Sequence, residues 1–183
     1  MCSRKPELPR QSTVPLTDKT RLRQTRISLR MALDYCNSLY FGLSQASLSR
    51  LQLVQNAAAR LLTRTRKYES ITPILFKLYW LPVTFRIDLK ILLFVYKALN
   101  KPAPQYLTNL LCPYTPSRTL RSSDHCLLIV PRSRLKKRGD CTFATAGPKL
   151  WNSLPLYIRL APSISIFKTS LKTYLFSLAF NTP

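Results

Sequence analysis

The sequence predicts a mainly α protein: a small helical bundle around one central apolar helix, with a short basic β-hairpin or loop near 126–143. Three observations predict it. Read at 100° per residue, the apolar residues Val83, Phe85, Ile87, Leu89, Ile91, Leu92, Phe94, Val95, Tyr96 and Leu99 cover most of a helix circumference. They leave only a narrow basic strip of Arg86, Lys90 and Lys97. Two further segments, 47–66 and 164–178, each carry an apolar stripe at the helical period, and such stripes need a partner surface. A membrane span needs roughly 20 residues with almost no charge. The central segment is shorter and holds Arg86, Asp88 and Lys90, so it reads as a buried core helix and no membrane span is expected.

Taken in order, residues 1–26 are rich in Pro and Arg with few large apolar side chains, the composition of a mobile basic arm. Pro6, Pro9 and Pro15 interrupt the continuous amphipathic helix that an import presequence requires. From 27 to 180 the chain reads as one helical domain, and 181–183 as a tail. A first helix is expected over 27–43, ending near Gly42. The next, from a Ser44 or Ser47 cap to about residue 66, places Leu48, Leu51, Val54, Ala58, Leu61 and Leu62 on one stripe. Arg50, Arg60 and Arg64 fall on its other side. Arg60 and Arg64 stand at i, i+4 with no acid between them, which makes this face a phosphate-contact candidate and, equally, a solvated basic face.

Thr72 followed by Pro73 starts a short helix to about Tyr79, and Trp80-Leu81-Pro82 breaks it so that Pro82 opens the central helix. Asp88 falls on the apolar side of that helix, where an unpaired carboxylate is costly, so a basic partner from the 47–66 helix is expected. After the stiff Lys101-Pro102-Ala103-Pro104 linker comes a short helix over 105–111. A polar loop and the β-like run 126–131 then lead into Arg132, Arg134, Lys136, Lys137 and Arg138, with 141–143 expected to return as the second strand of a hairpin. Five cations with no acid before Asp140 fit a nucleic-acid patch, an import signal or a solvated loop. A compact helix over 148–154 docks Leu150 and Trp151, and Ser163 caps the last helix, whose stripe is Ile164, Phe167, Leu171, Tyr174, Leu175 and Leu178.

The charge balance narrows the partners. In 183 residues, 29 Lys and Arg face 7 Asp and Glu, a formal charge of +22. An excess of that size repels itself unless a polyanion is near, which points to RNA or DNA first and an anionic membrane surface second. The chemistry of catalysis is missing. The acids Glu7, Asp18, Asp34, Glu69, Asp88, Asp124 and Asp140 offer no paired carboxylates for two metals. Three glycines leave no phosphate-cradling loop. Five cysteines form no CxxC pair and His125 is the sole histidine, so no zinc set is offered and no cofactor or catalytic residue is assigned. The odd cysteine number and the lack of an apolar signal segment place the chain in a reducing compartment, nucleus or cytoplasm.

The blocks LDYCNSLYFGL (33–43), LQLVQNAAARLLTRTRK (51–67), ITPILFKLYWLPVTFRIDLKILLFVYKALN (71–100), YTPSRTLRSS (114–123), GPKLWNSLP (147–155) and IFKTSLKTYLFSLAF (166–180) occur together in this order. In that order they resemble the C-terminal end of the reverse transcriptase polyprotein of LINE-type, non-long-terminal-repeat retrotransposons of the jockey-like group. The resemblance covers about residues 30–180 and excludes 1–26. It implies a region following the polymerase palm, thumb and C-terminal extension, which helps grip template and primer. The endonuclease and the palm lie upstream of these blocks in the family, and the Tyr-x-Asp-Asp turn has no counterpart here; Asp34-Tyr35 is a different motif. The expectation is a truncated, catalytically incompetent fragment that binds RNA or DNA mostly through phosphates, with Arg50, Arg60, Arg64, Arg132, Arg134, Lys136, Lys137 and Arg138 as contacts. Tyr35, Tyr40, Phe41, Tyr68 and Trp80 are candidates for base stacking or for the core. The competing expectation is a structural or protein-interaction remnant whose basic faces are merely solvated.

Overall fold

In the computed structural model the described residues are 34–100, 103–116, 126–132 and 139–181. Among them are seven α-helices, one 3-10 turn and no strand. The helices are α1 (Gln45–Thr63), α2 (Thr72–Lys77), α3 (Val83–Leu99), α4 (Gln105–Thr108), α5 (Phe143–Asn152), α6 (Leu156–Arg159) and α7 (Ile164–Phe180). The fold is a small helical bundle with α3 at its centre, as its apolar circumference requires. The 3-10 turn (Asn37–Tyr40), α1, α4, α5 and α7 all pack against it. Val83, Ile87, Ile91, Leu92, Val95, Tyr96 and Ala98 of α3 are buried. They meet Trp151 and Leu154, Ile158 of α6, and Phe167, Leu171, Leu175 and Phe176 of α7 in one continuous core. The Tyr96 ring stacks on Phe167 at 4.2 Å, and its hydroxyl donates to the Ala161 carbonyl at 2.8 Å. A buried hydroxyl needs such an acceptor, so this bond also fixes how α7 is entered.

The entry to α3 is built by side chains from α1. Pro82 occupies the cap position and supplies no side-chain acceptor, so the Val83 N–H donates instead to Gln52 Oε1 at 2.9 Å. One turn along, the fully buried Gln55 donates from Nε2 to the Leu81 carbonyl at 2.8 Å. Those two bonds turn α1 on its axis relative to the expected stripe. Its buried residues are Gln55, Ala58 and Ala59, while Val54 and Leu61, expected inside, are 55% and 69% exposed. The alanines let α2 approach, and a second, smaller core forms from Ala58, Ala59, Ile74, Leu75 and Trp80.

α2 ends in a Schellman closure. Trp80 N–H bonds to Leu75 O at 2.9 Å and Tyr79 N–H to Phe76 O at 3.0 Å. Tyr79 therefore takes a left-handed φ of 57°, a position that favours glycine and costs an L side chain roughly 1–2 kcal/mol. Its ring offsets that cost by stacking on Phe176 at 4.4 Å.

Four expectations are corrected. Within 34–43 the helical state ends at Asp34 and the chain then forms the 3-10 turn, short of the expected end near Gly42, although Gly42 has the expected positive φ of 80°. The run 126–130 does not form a hairpin with 141–143. Leu128 bridges back to Pro113, with Tyr114 N–H on Leu127 O at 2.9 Å and Ile129 N–H on Cys112 O at 2.8 Å. The amide of Asn152 takes the Leu128 backbone on both sides, at 3.0 and 2.8 Å, which completes the pairing without a second strand. Residues 141–143 instead lead into α5. That helix begins at Phe143, five residues before the expected start, and holds Gly147 and Pro148 inside it. Finally, α4 stops at Thr108.

Gly147 has a packing reason. A Cβ there would lie 2.9 Å from Val95 Cγ2, and Val95 is fully buried and stiff at χ1. Gly147→Ala is expected to lower unfolding stability by about 1–3 kcal/mol through overpacking of α5 on α3, read by urea denaturation. An unchanged midpoint contradicts this account of the contact.

Candidate nucleic-acid interface

Of the eight expected contact residues the structure describes four, Arg50, Arg60, Arg64 and Arg132. Arg50 and Arg64 are exposed on α1 and its C-terminal cap. Arg50 shares its face with Val54 and Leu61, at i, i+4 and i+11, so that face is apolar at its centre rather than purely basic. Arg60 is drawn off it. Arg64 adopts a left-handed φ of 54° and folds the chain back across the helix end. That reversal brings the Glu69 carbonyl within 3.1 Å of Arg60 Nη2. Arg60 is accordingly half-buried and holds the 64–71 turn, a supporting role in place of an outward contact. Arg132 is exposed at the end of the paired 126–132 segment. Arg134, Lys136, Lys137 and Arg138 lie outside the described residues, as do the 1–26 arm and His125.

The aromatic candidates divide. Tyr35 and Tyr68 are 77% and 80% exposed, Tyr40 and Phe41 pack against the main core, and Trp80 is buried. Arg86 lies over the Trp80 ring at 5.9 Å. Its guanidinium donates to Asp34 Oδ1 at 2.7 Å and, through Nε, to Leu81 O at 3.1 Å. Arg86 is thus committed to the corner that α1 also holds.

The acids are spent in the same way. Asp34 serves Arg86, Glu69 Oε1 accepts from the Arg66 N–H at 3.3 Å, and Asp140 pairs with Lys149 at 2.9 Å. Asp88 departs from expectation, because no arginine of α1 reaches it and among the described residues it has no ion-pair partner. Burial alone pushes its carboxyl up from the usual value near 3.8 to about 6. Among the described residues Arg50, Lys67, Lys77 and Arg132 are exposed and form no ion pair.

The described residues contain no group of three or more His, Cys, Asp or Glu arranged to hold a metal ion. No helix among them is long and apolar enough to cross a membrane. No protein-family model, no curated protein and no solved structure matches the chain. Sequence reasoning did not find Lys168 of α7, which lies across a cleft from Lys90 and Lys97 of α3. The latter two were visible as a basic strip, but nothing local marks Lys168.

The Asp88 shift gives a pH prediction. Between about pH 4 and 6 the folded chain holds a proton on Asp88 that the unfolded chain has lost, so this group's contribution to stability falls as pH rises through that window. Above it the full penalty, at most about 3 kcal/mol, applies. Asp88→Asn should be more stable than the parent at pH 7, with the difference shrinking toward pH 4 in urea titrations. A difference that does not change with pH contradicts the assignment.

Proposed function

We propose that the chain is the post-palm, C-terminal part of a LINE-type retrotransposon reverse transcriptase, acting as a nucleic-acid grip without catalysis of its own. The ordered sequence blocks quoted above support the origin. One observation supports the binding: the described acids are buried or engaged by neighbours, while Arg50 and Arg132 stand exposed and form no ion pair among the described residues. In a chain of formal charge +22, that leaves an outer surface whose cations are not neutralised from within. Phosphates of RNA or DNA satisfy it, and the contacts are Arg50, Arg64, Arg132, Arg134, Lys136, Lys137 and Arg138. Magnesium or manganese with primer and template should yield no extension.

A second reading has its own observation. Leu53, Val54 and Leu61 are exposed together beside Arg50, which is the surface of a protein-docking helix. Anisotropy titration of the full chain against RNA, single-stranded DNA and duplex separates the two. Nucleic-acid binding predicts a log–log salt slope on the order of −4 or steeper between about 50 and 200 mM. Alanine at 132, 134, 136, 137 and 138 should make that slope shallower by about 3.5 on a single strand and about 4.5 on duplex DNA. Weak, salt-insensitive binding that the alanines leave unchanged favours the docking reading.

A further inference from the structure

α3 and α7 meet at a cleft of about 360 Å³, lined by Lys90, Leu93, Phe94 and Lys97 on one side and Ile164, Ser165 and Lys168 on the other. The α3 residues fall at i, i+3, i+4 and i+7, one stripe of a helix. Ile164 and Ser165 lie in the first turn of α7, and Lys168 stands one turn above Ile164. Three lysines thus share the lining with the apolar Leu93, Phe94 and Ile164, which we take as its floor. Lys90 Nζ lies 5.5 Å over the Phe94 ring, a contact that leaves its charge at the rim.

Among the described residues no carboxylate pairs with these cations. α7 contains no acid, and the single acid of α3, Asp88, points to the far side of the helix from Lys90. Asp34, Glu69 and Asp140 are engaged by Arg86, the Arg66 backbone and Lys149. The first turn of α7 likewise has no acidic residue, so its positive dipole end adds to the lysines instead of being offset. The cleft is electropositive at its rim and apolar at its base.

We infer that this cleft is a single-strand subsite, holding one nucleotide of RNA or DNA with its phosphate on Lys97 and Lys168 and its base or sugar on the Leu93–Phe94–Ile164 floor. The inference rests on the proposed nucleic-acid grip and locates a site within it. The volume is at the lower end of ligand pockets, about 300–1,000 Å³, which suits one nucleotide. The floor selects a single strand, because in a duplex the bases are paired and only the phosphates reach the rim. Charge decides against a neutral apolar occupant, since filling the base alone would strip water from three lysines without supplying a counter-charge.

The test compares the full-length parent with Lys97→Gln/Lys168→Gln. A control, Lys67→Gln/Lys77→Gln, removes the same charge from exposed positions outside the cleft. Binding to a fluorescein-labelled oligo(dT) strand is measured against salt, with unfolding curves confirming that each variant folds. Losing the one single-strand phosphate contact makes the slope shallower by about 0.7 and weakens binding roughly 5-fold at 0.1 M salt. Lys97→Arg/Lys168→Arg should restore binding. A loss no greater than that of the control, with the parent still binding tightly, overturns the cleft and leaves the grip standing. A parent that binds no strand overturns both. Binding of phosphatidylserine vesicles that the cleft variant abolishes, without strand binding by the parent, reassigns the cleft to a membrane surface and overturns the proposal.

Discussion

The structure depends on covering α3. A 17-residue helix that is apolar on most of its circumference has to be surrounded, and five other elements do so. Each neighbour is shaped by that demand. Gly147 permits α5 to approach Val95, Phe167 lies flat against Tyr96, and the amides of Gln52 and Gln55 seat α1 at the Pro82 corner. The hydrophobic term of burying such a helix is the largest favourable contribution available to a chain of this size. The polar groups along its path therefore had to find partners or accept a shifted protonation state. Arg86 found Asp34, and Asp88 accepted the shift.

This accounts for the electrostatics of the exterior. Carboxylates are scarce, and those in the described residues serve the core corner, a turn or a neighbouring lysine, or are desolvated. In the proposed reading, Arg50, Arg132 and the lysines of the α3–α7 cleft are left to an outside anion. A single-stranded polynucleotide supplies both what the rim lacks and what the cleft floor can hold, and for that reason the proposed grip and its subsite belong to one account.

Much of the fold was legible in the sequence because it is set locally. Pro82 and the apolar run defined α3 to the residue, and Ser44 and Ser163 cap α1 and α7 through their side chains. What was not legible is set by contacts distant in sequence. Gly147-Pro148 reads as a helix boundary until Val95 is placed beside it, and the α1 stripe reads through Val54 until the Leu81 carbonyl claims Gln55. The pairing of Leu128 with Pro113 and Asn152, in place of a local hairpin, is of the same kind. The candidate site follows this rule. Arg50 and Arg132 are exposed as expected, Arg60 was captured by a carbonyl nine residues on, and Lys168 joins Lys90 and Lys97 only through the packing of α7.

The central claim, that an outside polyanion completes the charge balance of this fold, is tested most directly by thermal unfolding with and without a single-stranded oligonucleotide. At a strand concentration about 100 times the dissociation constant, linkage stabilises the folded chain by about 2.7 kcal/mol. For a domain of this length that corresponds to a rise in Tm of about 5–10 °C, diminishing as salt is added. A Tm that does not move with the strand, at low and high salt alike, contradicts the account.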